Sequence, residues 1–214
     1  MWAREKCSSA IGRAGEQFRV RWSWSLANGK MGGMRQISES NHLLGRIAQR
    51  AAEAGAELMP ARVRDVERAE ASLGFPLPMF LRRLYLEVGD GGYGPGLDVP
   101  MRGYTSGLLY PLSELVRGHG SNTEPAADLP FPPWPTEVLQ FADLGCFSSI
   151  AVDCRGPEHP VLMLEDDVAE VAPEEAWTVV APSVEDWFRD WVDERETPNE
   201  LTWTEWHSRI PLDG

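Results

Sequence analysis

Apolar positions between Val63 and Val88 fall on two helical stripes separated by a glycine. Val66, Ala69 and Leu73 recur at intervals of three and four, which predicts a helix from about Val63 with one face on a core. Gly74 supplies the left-handed residue that ends such a helix. Pro78 suits the first turn of a second helix, where its missing N–H costs nothing. Leu81, Leu84, Tyr85 and Val88 are the expected buried face of that helix. The run from Gly89 to Gly96 (GDGGYGPG) is then too turn-prone for regular structure. Upstream, Leu43, Leu44, Ile47, Ala48, Ala51 and Ala54 predict a helix from Asn41 or His42 to about Ala56, with Asn41 as its cap.

Downstream, Gly107-Leu108-Leu109-Tyr110 is a short apolar run closed by Pro111, and a brief helical piece follows at Leu112 to Val116. His119 to Pro135 is rich in Pro, Gly, Asn and Asp and reads as a long irregular excursion. Val138 to Phe141, Ser149 to Asp153 and Val161 to Leu164, with turn residues between them, predict an antiparallel meander. Trp177 to Val180 is a further strand. Ser183 with Asp186 forms a capping box, and Val184, Trp187, Phe188, Trp191 and Val192 follow it at i, i+3, i+4, i+7 and i+8. Thr197-Pro198-Asn199-Glu200 repeats the start signal, predicting a short terminal helix that carries Leu201, Trp203 or Trp206. Helices first, strands in the middle and a helix last describe an α+β domain.

Three blocks carry a family likeness. The first is V-x-x-x-E-x-x-x-G-x-x-L-P, written by Val66, Glu70, Gly74, Leu77 and Pro78 and followed by the Gly-Gly turn. The second is Phe141-Ala142-Asp143-Leu144-Gly145 with Ser149 to Asp153, and the third is the strand and helix from Trp177 to Val192. At these residues the chain resembles the SUKH superfamily, which includes bacterial toxin-immunity proteins and fungal regulators of cell-wall assembly. The resemblance covers about residues 60 to 195. It implies a single curved, mostly antiparallel sheet with helices packed against it, and a binding role without catalysis. The expected parse is a basic extension over 1–36, a SUKH-like domain over 37–196 and a tail over 197–214.

Charge sharpens that expectation. The 214 residues carry a net charge of −13. Met1 to Gln36 holds seven basic residues against Glu5 and Glu16, a net of +5, so the remainder carries −18. A surface so acidic repels nucleic acid and anionic membranes and attracts basic partners. Within the extension, Phe18, Val20, Trp22, Trp24 and Leu26 alternate with polar residues like a strand. The reading favoured for it is a segment outside the domain, disordered or a product of an early start codon, with Met31 and Met34 as alternative starts. Three cysteines (Cys7, Cys146, Cys154) have no metal-type spacing, and the expected setting is a reducing cytoplasm. Cys146 and Cys154 stand where they could meet across a hairpin. No apolar run of membrane-spanning length exists in the sequence.

Catalytic signatures fail on inspection. Gly89 to Gly94 formally matches G-x-G-x-x-G but follows a helix, not a strand, and the chain has no lysine after Lys30 to complete a phosphate loop. Ser106 is one place too late for a nucleophile elbow. His42, His119, His159 and His207 are too scattered for a zinc site, and surface or loop positions are expected for them. No cofactor motif remains. Glu165-Asp166-Asp167 with Glu170, Glu174 and Glu175 is the densest acidic cluster. A solvated loop is its simplest reading, and the spacing of a calcium loop is absent. The third reading is a surface that steers a basic partner. For a SUKH-like chain that partner is a cognate toxin domain, with Glu165, Asp166, Asp167 and Glu170 as contacts and Asp90 and Asp98 of the glycine loop as a second group. Trp134, Trp203 and Trp206 are candidate aromatic anchors, whereas Trp187 and Trp191 belong to a core stripe. A regulatory interaction module without a toxin partner is the alternative, and an enzyme ranks last.

Overall fold

The computed structural model describes residues 32–95, 108–124, 134–145, 148–165, 169, 176–194 and 201–202. By contacts the chain divides into two compact units, Met1–Ile37 and Ser38–Gly214. Helix α1 spans Gly32–Glu53. It starts well before Asn41, because a helix once nucleated propagates through polar residues that carry no apolar stripe. Asn41 therefore caps nothing: it is exposed in mid-helix, and its side-chain oxygen accepts a hydrogen bond from Arg83. Leu43, Leu44, Ile47 and Ala51 are buried as expected, while Ala54 lies beyond the helix end and is exposed.

Helix α2 spans Val63–Leu73, buries Val66, Ala69 and Leu73, and ends at Gly74 with φ 85°. Helix α3 (Met79–Arg83) runs without a break into a π-helical turn, Leu84–Val88. In that turn the N–H of Gly89 reaches back to Leu84 O at 3.1 Å, one residue further than an α-helix requires. This frees Tyr85 O, which accepts the N–H of Ala61 at 2.8 Å. Glu70 explains the spacing of the first block. Its carboxylate accepts the N–H of Leu77 at 3.1 Å and pairs with Arg82 at 3.3 Å, tying α2 to the start of α3.

Helix α4 spans Leu112–Thr123, far beyond the brief piece expected. Leu112, Leu115 and His119 are its buried positions. His119 was the rung that hydropathy could not show, and packing overrides the two glycines around it. Strands β1 (Val138–Gly145), β2 (Ser148–Asp153), β3 (Val161–Glu165), β4 (Trp177–Ala181) and β5 (Leu201–Thr202) form one sheet in sequence order. All four pairings are antiparallel, with bulges in β1 and at Val180 of β4. The fold is α+β. Leu201 and Thr202 pair with Val179 and Thr178 where a terminal helix was expected, because a free strand edge offers backbone partners that a solitary turn of helix lacks. Helix α5 spans Val184–Val192, and Ser183 Oγ accepts the N–H of Asp186 as the capping box requires.

Side-chain alternation splits the interior in two. Ile150, Val152, Val161 and Val180 join the helices in the larger core, which also holds Leu43, Leu81, Tyr85, Phe141 and Phe188. Ala151, Leu162, Leu164, Trp177 and Val179 point to the opposite face, where Trp134, Ala169 and Ala176 complete a smaller cluster. Both faces of the sheet are therefore covered.

Candidate partner-binding surface

The acidic cluster lies in the connection between β3 and β4. Its neck is closed by a ladder bond, the N–H of Glu165 to Ala176 O at 3.0 Å. Glu165 is half-buried at the end of β3. Asp166, Asp167, Glu170, Glu174 and Glu175 lie outside the described residues. One residue between them is placed: Ala169 is 3% exposed and packs in the smaller cluster under the sheet. Within this connection the described residues are thus the paired neck, Glu165 and Ala176, and the buried Ala169. Trp134 and Trp177 form that cluster's aromatic wall, edge to face with centroids 4.9 Å apart. Trp134 is 8% exposed, so it is core and not the exposed anchor that its flanking prolines suggested. Sequence pattern hid this, because a lone tryptophan between prolines has no periodic neighbours.

Other acidic residues are already engaged. On α5, Glu185 accepts from Ser40 Oγ at 2.9 Å and pairs with Arg189 at 2.7 Å, and Asp193 pairs with Arg46 at 2.6 Å. On α2, Asp65 pairs with Arg68 at 3.2 Å. The β3–β4 connection differs in composition, since no lysine or arginine occurs between Arg155 and Arg189. Six carboxylates from Glu165 to Glu175 therefore have no basic neighbour in their own segment.

The glycine loop has a structural task. Gly91 has φ 82°, and a Cβ there would come within 2.5 Å of Pro111 N and 2.7 Å of Leu109 O. Gly92 N–H donates to Leu109 O and Leu109 N–H donates to Tyr93 O, each at 2.8 Å. Asp90 is exposed, yet one carboxylate oxygen accepts the N–H of Leu112 at 2.8 Å, in the first turn of α4. The G-x-G-x-x-G match therefore packs backbone on backbone, not backbone on phosphate. Asp98, the other acidic residue expected there, lies outside the described residues.

Chemistry elsewhere is sparse. A shallow groove of about 290 Å³ is lined by Ser38, Glu39, His42, Leu43, Arg46 and Arg189. Both arginines are engaged by carboxylates. Among the described residues no group of three His, Cys, Asp or Glu side chains could hold a metal ion. No described helix is long and apolar enough to cross a membrane. Cys154 is a free thiol packed against the larger core, and burial pushes its ionisation well up. Cys146 lies outside the described residues. His42 is exposed and His159 half-buried, but His119 is buried in a helix, against the loop position expected.

Residues 60–190 match the profile of the SMI1 / KNR4 family (SUKH-1). The chain belongs to that family. The SUKH-1 match takes in α2, α3, α4, the four longer strands and most of α5. Its helix–glycine–Leu-Pro–helix block owes its spacing to Glu70, which holds Leu77 and Arg82, and to Gly74 and Gly91. SUKH-1 proteins belong to a superfamily that includes toxin-immunity proteins and regulators. No curated protein matches the chain.

Proposed function

We propose that this SUKH-1 protein is a non-catalytic immunity protein that binds and neutralises a cognate toxin domain. The observation that carries the reading is the β3–β4 connection: six carboxylates with no basic residue in their segment, closed at the neck and tethered by buried Ala169. A toxin that acts on nucleic acid needs a basic groove for phosphates. An acidic surface held in place occupies such a groove as a phosphate mimic, and opposite fields speed the encounter. Glu165, Asp166, Asp167 and Glu170 are the proposed contacts. Asp98 and the exposed Asp90 form a second group, although Asp90 has one oxygen committed to α4. A cytoplasmic location suits this role, as the toxin's targets lie there.

The test is binding to the C-terminal domain of a toxin encoded beside this chain. Replacing Glu165, Asp166, Asp167 and Glu170 by Gln, Asn, Asn and Gln should weaken the complex by at least about tenfold at low salt, mainly through slower association. Raising salt to about 0.5 M should erase most of the difference. Tight binding that ignores both changes refutes the acidic mechanism. A protein that binds no toxin and instead co-purifies with cell-envelope regulators belongs with the superfamily's regulatory branch.

A further inference from the structure

His119 has a feature that the binding role does not use. It is 8% exposed on the inner face of α4 and meets Phe75 edge to face, with centroids 5.4 Å apart. Its Nδ1 is enclosed and has no hydrogen-bond partner among the described residues. A neutral ring tolerates this as an idle acceptor. A protonated ring would place a charged N–H in the same dry contact with nothing to accept it. Nearby charges do not relieve the problem. On α2, Asp65 pairs with Arg68, and Glu70 with Arg82. On α4, Glu114 pairs with Arg117 on the outer face, and on β1 Asp143 acts on Tyr110. Burial holds the imidazole below the ordinary histidine range.

Position makes this more than a local penalty. One turn past His119, Asn122 O accepts the N–H of Trp134 at 2.8 Å, and its side chain donates to Gln140 of β1 at 2.8 Å. Trp134 in turn walls the cluster that receives Ala169. We propose that His119 is an acid-sensitive latch, whose protonation releases α4 from Phe75 and loosens the Asn122–Trp134 contact below it. Linkage fixes the sign. An unfolded or opened histidine binds a proton near pH 6.5 and the closed one binds it later, so closure is complete above about 6.5 and weakens as pH falls through that value.

The experiment is amide hydrogen exchange of the full chain between pH 7 and pH 5, corrected for intrinsic exchange, together with NMR titration of the histidine rings. The opening constant of α4 and of the Trp134 amide should rise by up to about tenfold per pH unit, the limit for one proton. His119 should titrate below the ordinary histidine value of about 6.5. His119→Phe, which keeps a flat ring against Phe75, should remove the pH dependence on α4. Should that variant fail to fold, the wild-type ring titration still decides. A His119 midpoint at or above about 6.5 overturns the latch, as does a His119→Phe chain whose α4 opens with acid as before. None of these readouts needs a toxin, so the latch stands or falls apart from the immunity reading.

Discussion

Replacing Gly91 by alanine tests the claim that the glycine motif packs backbone against backbone. Gly91 and Gly92 adopt nearly the same conformation, with φ 82° and 78°. Each alanine therefore incurs a similar left-handed cost, about 1–2 kcal/mol. Space separates them. At Gly92 a new Cβ meets nothing within 4 Å, whereas at Gly91 it lies 2.5 Å from Pro111 N, 2.7 Å from Leu109 O and 2.7 Å from Tyr110 C. All three are backbone atoms and cannot rotate away. Relief requires the 109–111 segment to move by several tenths of an ångström. That strains Tyr110 N–H to Phe141 O and Tyr85 Oη to Tyr110 O, bonds of 2.8 and 2.7 Å that seat the segment on β1 and α3. Overpacking of this kind adds about 1–3 kcal/mol. Gly91→Ala should thus cost about 2–5 kcal/mol in total and Gly92→Ala about 1–2 kcal/mol. Urea titration of both variants measures the difference, with equal slopes as the check that the denatured state is unchanged. In a protein of this size the extra loss at Gly91 corresponds to a melting point lower by several degrees. Equal destabilisation by the two alanines would show that the close approach at Gly91 carries no energy.

Two further outcomes follow from burial. Ala169→Asp places a carboxylate in the smaller cluster, where nothing described accepts it. It should detach the acidic connection and reduce toxin affinity at least about fivefold while the helix-side core keeps its protection from hydrogen exchange, since burying an unpaired charge is costly; unchanged affinity would mean that the anchor is dispensable. Tyr110 is pushed up to about 12 by burial, and Tyr85 and Tyr93 are held well above the ordinary tyrosine value for the same reason. A raised tyrosine value makes stability complete below about pH 10 and lost as pH climbs toward 12. Absorbance titration should therefore find at most one of the four tyrosines ionising normally in the folded chain.

Legibility followed periodicity. The α2 and α5 stripes, the Gly74 and Ser183 ends and the four longer strands could be read because apolar residues there repeat at 3.6 or at 2. The far half of α4 could not, since its third buried rung is a histidine among glycines. The buried place of Trp134 is not legible locally, because its partner, Trp177, is distant in sequence. Of the candidate surface, composition revealed the carboxylates but not the buried point between them, since nothing local marks Ala169 as buried. Net charge also hides that Glu185 of α5 and Asp193 just past it meet Arg189, Ser40 and Arg46 after folding.

Helix α1 lies ahead of residue 60, where the family match begins, yet Leu43 and Ile47 are among the most deeply buried side chains. Arg46 and Arg50 grip Val192 O at the far end of α5, and Arg50 stacks over Trp191 at 5.4 Å. A fragment cut at the borders of the family match would lose a wall of its interior and the clasp on its last helix. Its bared leucines and indoles would find each other in neighbouring molecules, so the fragment should precipitate where the whole chain stays dissolved. The working unit of this protein begins earlier than its family signature does.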